Sequence, residues 1–455
     1  MNNSIFKKHL LIIALLLFCG VSTQAADDDL ITQQITIKLD KAGTLPDRIG
    51  SSKKYKITNL KIVGKINGTD LRLIRDMAGN DYGKVTSGNL AFLDLSDAKI
   101  VSGGDAYLYG CSYKIPYESN YLDFSNAYTH EGDLGDRSFS DCRALKVLNL
   151  PKSITTIGRF AFEACDKLTT LDIPKGVTKI QSYAFYHCSG LTSLNISPNV
   201  TTISKGSFVG CIGLTNLNIP PSVTTIGDYA FDGCIGLTNL DIPPSVTTIG
   251  DFAFSGCIGL TNLDISPNVT TIGIGSFEGC SGLTSLNIPP SLTTIGSASF
   301  AECSGLTSLN IPPNVTSIKD DAFGSCWGLT SLVIPSSVTY IGSRAFGGCN
   351  SLASIYVSWE TPLGIGNDVF NGVDKEKCTL YVPQGTYQDY WLAEGWGDFK
   401  NIAEYDATKV DNSVAGKEVK EVSRYTANGQ RLDAPIKGLN IVRYSDGSVR
   451  KEWHD

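Results

Sequence analysis

Ten cysteines recur every 23 residues: Cys142, Cys165, Cys188, Cys211, Cys234, Cys257, Cys280, Cys303, Cys326 and Cys349. Thiols in such number suggest disulfide or metal chemistry, and the spacing argues against both. A fixed period in this range means stacked units, so the ten side chains share one equivalent position, roughly 4.8 Å apart along the stack. A disulfide needs Cβ atoms nearer to about 3.8 Å and a specific twist. Metal sites built on cysteine draw on Cys-x-x-Cys pairs or histidines, and the chain has four His and no such pair. The column therefore reads as a ladder of buried free thiols acting as small hydrophobes. Elsewhere there is no Ser-His-Asp arrangement, metal cluster or phosphate loop, so neither catalysis nor a cofactor is expected.

The unit that positions each cysteine is clear from the copy beginning at Cys234. Leu237, Leu240 and Ile242 follow three, six and eight residues on. The Leu-x-Ile step alternates, which predicts a short strand with Leu240 and Ile242 inward and Asn239 and Asp241 outward. Pro243 and Pro244 end the strand, because proline cannot donate to a ladder. Val246 and Ile249 return to the core, and Gly250 allows a turn. Ala253, Phe254 and Cys257 stand near helical spacing, so the return leg is expected to be one helical or 3₁₀ turn. A lone unit offers about six large apolar side chains at ~1.5–3 kcal/mol each. Ordering its residues costs ~1–2 kcal/mol apiece. Only stacking closes that gap, so the fold class is a solenoid with a curved parallel sheet.

The pattern Leu-x-x-Leu-x-Ile-Pro…Val-x-x-Ile-Gly…Ala-Phe-x-x-Cys strongly resembles the BspA-like class of leucine-rich repeat proteins. The likeness is close over residues 142–357 and looser from about 57 to 402. It implies a leucine-rich repeat solenoid, secreted or on the cell surface, often an adhesin for host matrix proteins or other cells.

Charge and leader fit such a place. The net charge is −7, which speaks against nucleic acid as the main partner. Lys7 and Lys8 precede the apolar run Leu10–Cys19, and Thr23-Gln24-Ala25 offers small residues for cleavage before Ala26. Residues 1–25 thus read as a signal peptide. A lipoprotein leader with Cys19 lipidated is the rival, against which the bulky Phe18 counts. No other run is long and apolar enough to span a membrane.

Residues 26–141 form an N-terminal cap with divergent repeats. Ile57, Leu60 and Ile62, then Leu90, Leu93 and Leu95, repeat the strand spacing. A helix is expected over Asp70–Ala78, capped by Asp70, and a small strand around Ile35–Leu39 is expected at the edge. If Leu93 holds the second leucine position, the Phe of that repeat arrives at Phe139, 32 residues late. The intervening insertion, about 101–132, carries Tyr107, Tyr109, Tyr113, Tyr117, Tyr121, Tyr128 and Phe124, with Cys111 unpaired by pattern. Insertions in solenoids emerge as loops, and tyrosine supplies rigid amphipathic contact area. Two readings stand: the rings cover the solenoid end, or they bind a partner.

Residues 142–405 hold the regular repeats and a C-terminal cap. Their exposed strand positions form two rows, one through Asn239 and one through Asp241 and Asp264. These are solvated sheet surface or a site for glycans or calcium; two or three carboxylates in a row of amides are thin evidence for calcium, which wants six to eight oxygens. Seven basic residues lie between Cys142 and Cys188, whereas Cys211 to Cys303 contains no Lys or Arg. Val333 and Tyr356 then replace the polar row, as a binding patch or as residues under the cap. That cap is expected to have its last strand at Cys378–Pro383 and a helix near Tyr387–Ala393 with Trp391 inward. Residues 406–417 read as a linker, and 418–455 as a tail of two β-hairpins over Val422–Leu432 and Gly438–Trp453. The tail, through Tyr425-Thr-Ala-Asn-Gly-Gln-Arg-Leu432 and Lys437-Gly-Leu-Asn-Ile-Val-Arg443, resembles a shortened C-terminal sorting domain of type IX secretion. That implies export followed by removal of the tail, although it is shorter than that family's domain.

Together these features point to a secreted or surface binding protein, an adhesin for proteins or glycans, with candidate contacts at Tyr107, Tyr109, Tyr113, Tyr117, Tyr121, Asn239, Asp241, Asp264 and Tyr356. The alternative is a structural or assembly component of the cell envelope.

Overall fold

The computed structural model describes residues 29–406, apart from 82, 110–111, 115, 117–120 and 124–125, and in the tail residues 421–426, 431–432, 434, 437–444 and 449–454. The leader with Lys7, Lys8 and Cys19, together with Cys111, Tyr117, Phe124 and linker positions 407–417, lies outside these residues.

The alternation in each unit builds the long sheet. In the strand Asn239–Asp241, Leu240 is buried and its two neighbours are exposed. It pairs in parallel and in register with the next copy, Asn239 on Asn262, Leu240 on Leu263 and Asp241 on Asp264. Nine strands run from Ile35–Leu39 through Asn59–Ile66 and Phe92–Ile100 to Asn262–Asp264. A single bridge continues from Asp264 to Asn287, and five more strands run from Ser308–Asn310 to Asn401–Tyr405. Equivalent positions pair from rung to rung, with one register shift at Lys61/Val63 where Asn59–Ile66 meets Phe92–Ile100, so the solenoid expected from the 23-residue period is the fold.

A second strand, not anticipated from the sequence, follows the prolines. Thr248–Ile249 pairs in parallel with Thr225–Ile226 and Thr271–Ile272, and equivalent pairs extend from Asp133–Leu134 to Tyr340–Ile341. Here β-branched residues suit a half-buried pleat.

The return leg contains no helix, contrary to its apolar spacing. Phe252, Phe254 and Gly256 donate their N–H groups to Ile274, Ser276 and Glu278 of the next copy at 2.8, 2.7 and 2.7 Å. Those donors are thus unavailable for bonds along the segment. Left-handed torsions at Phe252 (φ 53°) and Gly256 (φ 67°) also break the helical path, leaving isolated turns. These two positions, two residues before and two after the core Phe, are left-handed in copy after copy. All thirteen non-glycine residues with positive φ among the described ones fall in these two columns. Between them the core phenylalanines stack from Phe139 to Phe370, centroids 5.0–5.8 Å apart and planes within 11°.

The ends are closed by irregular structure. The edge strand Ile35–Leu39 pairs with Asn59–Ile66. The helix spans Gly68–Met77, and its cap is Asn67 rather than Asp70. Asp70 is the third helical residue and is buried; its carboxylate accepts N–H bonds from Asn67 (2.9 Å), Gly43 (2.6 Å) and Leu45 (2.9 Å). At the other end Thr379–Pro383 is the penultimate rung, because Asn401–Tyr405 pairs outside it. The helix there is Tyr387–Leu392, with Trp391 turned outward, 53% exposed. Tyr390 and Trp396 fill the core instead, donating to the Trp359 and Leu363 carbonyls at 2.8 and 2.7 Å. The tail forms its own antiparallel sheet, with Glu421–Thr426 between Arg431–Leu432 and Gly438–Tyr444, and Val449–His454 outside.

Candidate functional site

All ten repeat cysteines are fully buried and free. They are more than hydrophobes. From Cys165 to Cys349 each thiol donates to the carbonyl of a core phenylalanine 26 residues earlier, as Cys234 to Phe208 at 3.2 Å and Cys257 to Phe231 at 3.3 Å. Burial pushes the Cys211 and Cys280 thiols up to about 12, so the nucleophilic thiolate is suppressed. This column is framework, and binding has to be sought on the surface.

The open face of the long sheet carries the two polar rows. Asn239, Asp241, Asn262 and Asp264 are all exposed, fixed by the pairing of Asn239–Asp241 with Asn262–Asp264. Asn218 pairs on Asp241 from one side, and the Asn287 bridge continues the row on the other. Asn195 donates to Asp172 at 2.6 Å. A threonine column beside these rows ties its hydroxyls to the previous rung, as Thr192 to the Thr169 carbonyl at 3.0 Å and Thr330 to Thr307 at 2.9 Å. The face is therefore a rigid array of small acceptors and donors.

Its two ends differ. Toward the N-terminus Lys61 lies between Asp94 (3.1 Å) and Asp97 (2.7 Å), and its hydrogen bond holds the Asp97 carboxyl below the usual range. Toward the C-terminus Tyr356 stacks on Tyr381 at 4.3 Å and meets the edge of Tyr405 at 5.8 Å. Burial, and then the neighbouring Tyr381, raises the Tyr356 phenol. Tyr381 pairs with Tyr356 across the rungs. Sequence reasoning placed it only in the cap strand, although Leu380 at the leucine position marks the residue after it as outward.

The tyrosine-rich insertion pairs with itself, Gly103–Tyr109 against Asn126–Thr129 and Ser112–Lys114 against Tyr121–Asp123, all antiparallel. Tyr107 is removed as a contact residue: it is 1% exposed and its hydroxyl donates to the Asp136 carbonyl at 2.7 Å. Tyr109, Tyr113 and Tyr121 lie in those strands. The Tyr183 hydroxyl, on the return leg, donates to the Pro116 carbonyl at 3.1 Å, which brings the insertion against the early return legs. Tyr128, 45% exposed, borders a shallow cleft with His130, Asp133, Asp136, Thr156 and Gln181. Asn239, Asp241, Asp264 and Tyr356 thus share the sheet face, whereas Tyr107 is interior and Tyr109, Tyr113 and Tyr121 belong to the insertion's own antiparallel strands.

Comparison with known proteins agrees with this architecture. A family model described as the BspA type leucine rich repeat region matches residues 118–238 and 224–353, in six copies. A leucine-rich repeat protein from Bacteroides ovatus has a similar structure, with a TM-score of 0.51 and 23% identity over 84% of this chain and 97% of that one. A leucine rich cell surface protein from Faecalibacterium prausnitzii is 29% identical over 52% of this chain and 85% of its own, with a TM-score of 0.32. No curated protein matches the chain. Among the described residues no helix is long and apolar enough to cross a membrane.

Proposed function

This chain belongs to the BspA-type leucine-rich repeat proteins, and from that membership we propose that it is a secreted or cell-surface adhesin that binds extracellular proteins or glycans on the open face of its long sheet. The observation that supports this is the pair of exposed rows through Asn239 and Asp241, kept in register from copy to copy. Both are set by backbone pairing, so the face is ordered before a ligand arrives and little further ordering opposes binding. Repetition also offers several equivalent contacts to an extended ligand, where weak sites add through effective concentration. Asn and Asp together offer donors and acceptors that suit sugar hydroxyls or peptide groups.

The test is binding of the purified protein to an array of matrix proteins and glycans at physiological salt. Saturable binding to one class, competed by soluble ligand and lost in N239R/D264R, is expected. Silence across the array with the protein folded by circular dichroism would overturn the adhesin reading and favour assembly within the envelope.

A further inference from the structure

A second surface stands apart from the sheet face. The residue after each repeat cysteine is polar or charged in most copies: Arg143, Asp166, Ser189, Ser281, Ser304 and Asn350. In three consecutive copies it is Ile212, Ile235 and Ile258. Their backbones are fixed by tight turns, the N–H of each donating to Gly210, Gly233 or Gly256 at 2.8–2.9 Å. Ile212 is 39% and Ile258 49% exposed, with Ile235 half-buried between them. Nothing can grow over this ridge from the following position. A Cβ on Gly236 would lie 2.5 Å from the Ile212 carbonyl oxygen, and one on Gly259 would lie 2.4 Å from that of Ile235. The preceding side is glycine as well, at Gly210, Gly233 and Gly256.

The ridge runs along an acidic stretch. Between Cys211 and Cys303 there is no Lys or Arg. Gly256, two residues before Ile258, donates to the Glu278 backbone carbonyl at 2.7 Å, and Gly210, two before Ile212, donates to that of Asp232 at 2.8 Å, so the backbones of both acidic residues lie on the rung next to the glycines that lead into the ridge. Burial first, and then the nearby Glu302, Asp232 and Asp321, raise the Glu278 carboxyl.

We infer that the Ile212–Ile235–Ile258 ridge is a docking surface for a cationic amphipathic helical segment of a partner protein. Rungs about 4.8 Å apart come close to the ~5.4 Å turn of a helix, so three isoleucines meet an i, i+3/i+4, i+7 apolar seam. The acidic residues of the same stretch, Asp232, Glu278 and Glu302 among them, with no Lys or Arg to offset them, favour Lys or Arg on its flanks. The same acidity disfavours an anionic membrane as occupant. This surface is separate from the sheet face, and the inference stands whether or not that face binds an adhesin ligand.

The experiment uses the whole protein and a fluorescent 18-residue Leu/Lys amphipathic helix, with a Leu/Glu peptide of the same pattern as control. Anisotropy titrations at low and physiological salt read the affinity. The Leu/Lys peptide should saturate and weaken with salt. I212S/I235S/I258S, whose net charge is unchanged and whose serines match those at 189, 281 and 304, should bind at least tenfold more weakly. E278Q/E302Q, which leaves the ridge intact, should also bind more weakly. Equal binding by the triple serine protein or by the Leu/Glu peptide overturns the inference. So does sedimentation showing a dimer that the triple serine substitution dissolves, because the occupant is then a second copy.

Discussion

Left-handed torsions imposed by stacking should reverse the usual ranking of alanine and glycine. Ala298 sits at φ 53° in the column that holds Gly206 and Gly275 in other copies. An L-residue in that region costs roughly 1–2 kcal/mol. Glycine avoids this strain but loses about 0.5–1 kcal/mol more than alanine in backbone entropy on folding. Ala298→Gly should therefore stabilise the protein by about 0.5–1 kcal/mol, where an ordinary Ala→Gly change destabilises by as much. Gly233, at φ 69°, tests the converse. Its nearest neighbour to an added Cβ is the Gly210 Cα at 3.9 Å, so there is space and only torsion opposes the methyl. Gly233→Ala should cost about 0.5–1 kcal/mol. Gly206→Ala has a similar torsion, φ 61°, but its Cβ would lie 2.2 Å from Tyr183 Cε1. The Tyr183 ring is buried and bonded to Pro116, so the loss there should reach about 2–4 kcal/mol, the overpacking penalty added to the strain. Urea unfolding followed by circular dichroism measures all three, compared by midpoint at constant slope. A loss of stability in Ala298→Gly, or no loss in Gly233→Ala, would refute the argument that stacking fixes these torsions.

Three further outcomes are expected. The buried thiols have folded pKa values raised above the unfolded value near 9, with Cys211 and Cys280 at about 12. Folded protein thus keeps protons that the unfolded chain releases; the contribution is complete below pH 9 and lost as pH rises from about 9 to about 12, at ~1.4 kcal/mol per pH unit per thiol. Urea midpoints should fall steeply above pH 9, and Cys211→Ala with Cys280→Ala should flatten that slope by two thiols' worth; equal slopes would contradict it. Phe254→Ala should cost about 3–5 kcal/mol by opening a cavity between Phe231 and Phe277, seen as a lowered urea midpoint. Asp70→Ala should strip three backbone N–H groups of their acceptor, with a loss of roughly 3 kcal/mol or more and faster amide exchange at Gly43, Leu45 and Asn67; unchanged exchange there would count against its role.

What the sequence reveals here follows from how far each interaction reaches. Period, strand and core column are written in every copy, so Leu237, Leu240, Ile242 and Cys257 identify the solenoid without any contact being known. The two-residue strand Thr248–Ile249 is too short for alternation to register. The return leg misleads because Ala253 and Phe254 match helical spacing, while what excludes a helix is bonding to another copy. Phe252 and Tyr229 conceal the left-handed column that Gly206 and Gly275 alone would have marked. For Tyr107 the sequence leaves covering and binding both open, and what takes its hydroxyl into the interior is Asp136, 29 residues on. Likewise Asp70 resembles a simple cap until the edge turn at Gly43–Leu45 comes back onto it. On the sheet face, Asn239, Asp241 and Asp264 were legible as outward residues, because that depends on alternation alone.

Near-identical copies in fixed register make length a property that can change independently of fold. Excising residues 234–256 would join Gly233 to Cys257, with the left-handed glycine still followed by the buried thiol and the Phe231 ring facing Phe277 in place of Phe254. Each such event would shorten the molecule by one rung, about 4.8 Å, and duplication would lengthen it equally. Recombination between these copies would therefore act as a ruler, setting in discrete steps how far apart the two ends of the molecule stand.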